Sequence, residues 1–123
     1  MIYKIAFASS DGIRIDTHFG HAEKFYIAEL DTEKEDYSIT GERSASPPCR
    51  GGEHDVSGFA AVLSQLSDIS AIVAQRAGPG AQRFIREQGM QVYQIPLTIE
   101  EALCLFLEDK TWEVDKWRSH TKS

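Results

Sequence analysis

With 123 residues, 41% of them apolar, the chain has the size and composition of one folded domain around one core, and wholesale disorder is not expected. A net charge of −6 argues against a broad cationic surface for DNA or RNA, because such surfaces draw their affinity from Lys and Arg on phosphates. Two cysteines are too few for a disulfide scaffold, no apolar run reaches membrane-spanning length, and no basic-then-apolar leader opens the sequence, so a cytoplasmic protein with no nucleic-acid or membrane partner is expected.

The run Ile2-Tyr3-Lys4-Ile5-Ala6-Phe7-Ala8 is mostly apolar, with β-branched and aromatic residues, and reads as a buried central strand. Ser9-Ser10-Asp11-Gly12 breaks it. Lys24 to Leu30 reads as a second strand and Tyr37 to Gly41 as a third, joined by a polar hairpin connection. Two prolines and two glycines make Ser44 to Gly52 a loop. From Asp55, a reasonable N-cap, the residues Val56, Phe59, Ala60, Leu63 and Leu66 recur at helical steps.

Ala71 to Ala74 reads as a fourth strand, buried on both faces. Gly78-Pro79-Gly80 turns into a second helix whose inner face carries Ala81, Phe84 and Ile85, with Gly89 at its end. Gln91 to Ile95 is a fifth strand. Thr98 and Glu101 have capping-box spacing and open a third helix through Leu107. The tail from Lys110 is polar apart from Trp112, Val114 and Trp117, and the pattern places it nowhere. The order β-β-β-α-β-α-β-α predicts an α/β fold: a mixed five-stranded sheet, strand 2 antiparallel to its neighbours, flanked by helices, in the arrangement called ribonuclease H-like. The expected division is a domain at 1–109 and a polar C-terminal tail at 110–123.

The chemistry concentrates in Asp16-Thr17-His18-Phe19-Gly20-His21-Ala22, just after the first strand. Imidazole is the commonest metal ligand, and positions three apart on a helical turn face the same way. Open α/β sheets also tend to bind ligands at strand ends. The alternative is a turn with one capping and one solvated histidine, and the spacing alone leaves the two balanced. Cys49 and His54 flank a loop in which Arg50 would favour the thiolate, though an unimportant exposed pair fits slightly better when the loop is read alone. Cys104 is expected in or near the core, where free cysteine usually sits.

Arg76, Gly78, Gly80 and Arg83 surround the turn after the fourth strand, where a helix N-terminus suits an anion. A simple tight turn with solvated arginines fits somewhat better in isolation, and a nucleotide site lacks its glycine signature. Asp11 and Asp16 raise a magnesium-dependent nuclease, but no acidic residue lies inside the first strand, and loop solvation explains both better.

Taken together, the chain resembles the dinitrogenase iron–molybdenum cofactor-binding family, which includes small NifX- and NifY-type carriers and the C-terminal domain of many NifB proteins. The resemblance covers roughly the first hundred residues, the size of one domain. It rests on Lys4-Ile5-Ala6-Phe7-Ala8-Ser9, the Asp16-to-Ala22 segment with its His-Phe-Gly-His, and Phe25-Tyr26-Ile27. It continues through Cys49, Leu66-Ser67-Asp68, Ile72 to Gly80, and Gln88-Gly89-Met90-Gln91-Val92. The resemblance implies a ribonuclease H-like fold and a non-catalytic carrier in nitrogenase cofactor biosynthesis or related metallocluster handling.

Its implied cargo is an iron–sulfur cluster of the iron–molybdenum cofactor or precursor type, and its implied partners are the donor and acceptor proteins of cofactor assembly. Carried over residue by residue, the cofactor-binding set is His18, Phe19, Gly20, His21, Cys49, His54, Arg76 and Gly78, with His18, His21 and Cys49 as metal ligands. The three-cysteine Cys-x-x-x-Cys-x-x-Cys pattern of full NifB proteins is absent, so their radical chemistry is not expected. A protein-built cluster usually needs about four cysteines. A cluster that arrives assembled needs only one or two ligands plus donors for its anionic surface. The alternative is a small interaction or regulatory module of the same fold with no cluster, or with zinc on His18, His21, Cys49 and His54.

Overall fold

The computed structural model describes residues 2–44 and 62–112. Strand β1 (Ile2–Ala8) lies at the centre of a five-stranded sheet ordered β3-β2-β1-β4-β5. β2 (Lys24–Asp31) runs antiparallel to β1, and β3 (Asp36–Ser44) antiparallel to β2, as the hairpin connection requires. β4 (Ala71–Ala74) and β5 (Gln91–Gln94) run parallel to β1, in register Ile5 to Ala71 and Ala71 to Gln91. The mixed sheet with β2 as the antiparallel member is the one expected from the element order.

Because successive strand residues face opposite sides, β1 feeds two cores. Ala6 and Ala8, with Phe25, Ile27, Ile72, Ala74 and Val92, pack under residues 62–66 and helix α1 (Pro79–Glu87). Tyr3, Ile5 and Phe7, with Leu30, Ala71 and Val73, pack under helix α2 (Ile99–Asp109). A strand buried on both faces reads as a continuous apolar run, which is why β1 and β4 are legible as central.

The boundaries differ from expectation where pairing or capping extends an element. β3 continues to Ser44 because β2 offers it partners throughout, with a bulge that leaves Thr40 between the Ile27–Gly41 and Ala28–Ile39 pairs. α2 continues to Asp109, where Lys110 adopts a left-handed conformation (φ 47°). α1 ends at Glu87 with Gln88 as its C-cap, and Gly89 follows with a φ of 86° that suits glycine. The Thr98–Glu101 capping box forms in full. Of the helix expected from Asp55, residues 62–64 are helical, and the remainder lies outside the described residues, as does the tail beyond Trp112.

Cys104 corrects the expectation of a core cysteine: it is exposed. The inner stripe of α2 is Ile99, Ala102, Leu103 and Phe106, and a residue next to Leu103 is turned about 100° from it. No described helix is long and apolar enough to cross a membrane.

Just before β4, Arg43 grips the Asp68 carboxylate through two nitrogens (2.6 and 2.8 Å), and Lys4 Nζ adds a third bond at 3.2 Å. The Arg43 guanidinium, ahead of Lys4, holds the Asp68 carboxyl well below the usual carboxylate range. A depressed folded-state pKa contributes stability above the unfolded-state value and loses it as pH falls through the folded one. The melting temperature is therefore expected to fall as pH is lowered from 5 toward 2. Asp68→Asn should lower it at pH 7 and flatten that acid slope, as thermal scans across pH would show. An unchanged slope would remove this ion pair from the acid response.

Candidate functional site

The site is built at the C-terminal ends of β1, β4 and β5. The loop after β1 is shaped by its own side chains. Asp11 accepts the N–H groups of Ile13 (2.8 Å) and Arg14 (2.9 Å), and Asp16 accepts the Ser10 N–H (2.9 Å) and the Thr17 hydroxyl (2.8 Å). The Arg14 and Ile13 N–H groups lower the Asp11 pKa; the Ser10 hydroxyl is the main cause of the lowered Asp16 pKa. Both carboxylates are thus committed to holding the backbone, the same use that makes Asp common in turns. Gly12 (φ 78°) lies so close to Tyr26 that an added Cβ would sit 2.9 Å from its ring.

This loop delivers the chain to a short 3-10 turn, Phe19–His21, fixed to the loop after β4. Gln75 N–H donates to the Thr17 carbonyl (3.0 Å) and Phe19 N–H to the Arg76 carbonyl (2.9 Å), so His18 and Arg76 form a parallel bridge. Phe19 is fully buried and meets Phe25 at 6.0 Å between ring centroids. Its burial sends its two neighbours outward. The His18 and His21 rings stand 6.0 Å apart, edge to face.

Both histidines line an open cleft of about 500 Å³ together with Gly20, Arg76, Ala77, Gly78, Pro79 and Gln94. That volume lies within the range of about 300–1,000 Å³ usual for small-ligand sites. Gly78 is the N-cap of α1 and Pro79 its first residue, and no side chain caps this end. The helix therefore presents first-turn amides and the positive end of its dipole toward the cleft. Arg76 is exposed and has no ion pair among the described residues. The cleft combines two imidazoles, one guanidinium and peptide N–H groups, a set suited to an anion that also carries metal.

Of the eight expected site residues, five share this cleft: His18, Gly20, His21, Arg76 and Gly78. Phe19 contributes its backbone, while its side chain belongs to the core rather than to the cleft. Cys49 and His54 lie outside the described residues. Arg83 lines a separate shallow hollow with Pro79 and Arg86. Among the described residues no three His, Cys, Asp or Glu side chains converge on one metal position. Ala77, Pro79 and Gln94 were not legible as site residues. Gln94 sits at the C-terminal end of β5, and only its place at a strand end adjacent to β4 could have pointed to it.

Residues 1–109 match the family described as dinitrogenase iron-molybdenum cofactor. The chain belongs to this family. It is 35% identical over 101 residues to the uncharacterized protein MJ0580 of Methanocaldococcus jannaschii, covering 81% of this chain and 82% of that one. It is 34% identical over 99 residues to the FeMo cofactor biosynthesis protein NifB of Chlorobaculum tepidum, covering 80% of this chain but 22% of the relative. The chain thus spans about a fifth of that NifB. The apo form of the orange protein from Desulfovibrio gigas is similar in fold, with a TM-score of 0.58 at 16% identity over 89% of this chain and 90% of that one. In this chain, the His-Phe-Gly-His turn brings His18, Gly20 and His21 to the wall of the cleft.

Proposed function

We propose that this cleft holds a preassembled, anionic iron–sulfur cluster of the iron–molybdenum cofactor or precursor type. The protein then acts as a non-catalytic carrier between donor and acceptor proteins of cofactor assembly. The carrying observation is that His18 and His21 open into one cleft beside Arg76 and the uncapped start of α1. A resident ion usually needs three or four protein ligands. Two imidazoles suit a guest whose irons are already bridged by sulfide, and few protein bonds allow release. Cys49 remains in the proposal as a third ligand on sequence grounds. We also read the β3-β2-β1-β4-β5 order as the ribonuclease H-like arrangement.

The test is anaerobic mixing with a synthetic thiolate-ligated iron–sulfur cubane, followed by gel filtration. Iron and visible absorption are expected to co-elute with the protein. His18→Ala with His21→Ala should reduce retained iron at least about tenfold, as loss of ligands rather than of distant partners implies. Zinc retention without visible absorption would favour the cluster-free module instead. No retained iron in the parent protein would overturn the carrier reading.

A further inference from the structure

The loop that carries Arg76 and leads into α1 is held by two glutamine side chains. Gln94, from β5, accepts the Ala77 N–H through Oε1 at 3.0 Å. Gln82, from α1, donates through Nε2 to the Ala77 carbonyl at 2.8 Å. The Ala77 residue is itself buried, so both of its main-chain polar groups need such partners. Together they fix the two peptide groups that flank Ala77, between Arg76 and the helix start.

The first of these bonds also decides which way the Gln94 amide faces. A backbone N–H can only donate, so its partner must be the carboxamide oxygen rather than the nitrogen. The planar amide then leaves its –NH2 as the branch not committed to Ala77. That nitrogen has no hydrogen-bond partner among the described residues, and Gln94 lines the same cleft as the two histidines. A carboxylate at this position would accept from Ala77 equally well but would offer an anionic cargo no donor.

We infer that Gln94 has two roles in the cleft, clamping the Ala77 peptide through its oxygen and donating from its amide nitrogen to acceptor atoms of an anionic cargo. This rests on the cargo reading given above. Gln94 thereby makes the cleft selective for guests that present acceptors, such as bridging sulfide or thiolate sulfur, and it does so with no charge of its own. The neutral amide adds a donor beside Arg76 without the desolvation cost of a second cation.

Two substitutions separate the roles. Gln94→Glu keeps the oxygen that holds Ala77, removes the donor and adds a negative charge. Gln94→Leu removes both. The readouts are hydrogen exchange at the Ala77 amide in cargo-free protein and retention of the synthetic thiolate-ligated cubane. Gln94→Glu should leave Ala77 protection within about twofold of the parent while weakening cubane retention about tenfold or more, the change expected when a hydrogen bond to a charged group is lost. Gln94→Leu should speed Ala77 exchange and weaken retention as well.

Parent-like retention in Gln94→Glu would overturn the donor role. Parent-like Ala77 exchange in Gln94→Leu would overturn the clamp. If the parent protein itself retains no cubane, the cargo reading fails and the donor role fails with it, while the exchange measurement still judges the clamp separately.

Discussion

Phe19→Ala is expected to destabilise the protein by about 3–5 kcal/mol, the usual cost of emptying a phenylalanine-sized site in a packed core. Phe19 is 0% exposed and sits in the cluster with Ala8, Phe25, Ala74 and Ala77. A cavity of that size in a packed core is refilled only in part by relaxation of the residues around it. Typical domains hold only about 5–15 kcal/mol in total, so this single change should consume a large share.

The effect reaches the cleft because Phe19 lies between the two imidazoles in sequence and anchors the turn that aims them. Its N–H bond to the Arg76 carbonyl joins that turn to the loop after β4. Urea titration should show the loss as a lower midpoint. In the folded fraction, the His18 and His21 ring resonances should lose their distinct environments. Phe19→Leu, which keeps most of the volume, should recover much of the stability and the histidine geometry. A midpoint shift in Phe19→Ala worth less than about 1 kcal/mol would show that the turn is held by its backbone bonds and not by this side chain.

What the sequence made legible follows from how local each determinant is. β1 and β4 are continuous apolar runs because both of their faces are buried, and such runs need no partner to be recognised. Thr98 and Glu101 announce the start of α2 within four residues, and both capping bonds form. The histidine turn was visible as a motif, yet its two rings share a cleft only because Phe19 is drawn into the core and Arg76 is brought alongside from β4. That second condition is tertiary, so the spacing alone could leave the motif balanced between a site and a turn.

Residues whose role depends on a distant partner were not legible. Gln94 looks like any polar residue closing a strand; its importance comes from Ala77, which reaches it across the β4–β5 edge. Asp11 and Asp16 raised a metal site by type and position, while their hydrogen bonds spend them on the loop backbone. Cys104 shows the limit of a composition rule: free cysteines favour interiors, but the phase of α2 places this one outside the stripe set by Leu103 and Phe106.

The second large effect is expected at Trp112, in a segment that is polar apart from this residue, Val114 and Trp117. Trp112 is 5% exposed and packs in the cluster that contains Tyr3, Phe7, Leu103 and Phe106. Lys110 makes this possible, because its left-handed conformation stops α2 and redirects the chain before residue 112. The packed unit therefore runs three residues beyond the family match at 1–109. Trp112→Ala should cost about 3–5 kcal/mol, and a chain ending at Asp109 should lose at least as much.

The measurement is a urea titration in a Trp117→Phe background, so that emission reports Trp112 alone in the parent. A blue-shifted folded-state spectrum that moves red in a single cooperative step is expected, since a buried indole is shielded from water until the core opens. Circular dichroism would follow the Trp112→Ala and shortened chains, which lack that probe. Midpoints equal to the parent's in both would mean that α2 covers its face of the sheet without help, and that the aromatic at 112 adds contact without adding stability.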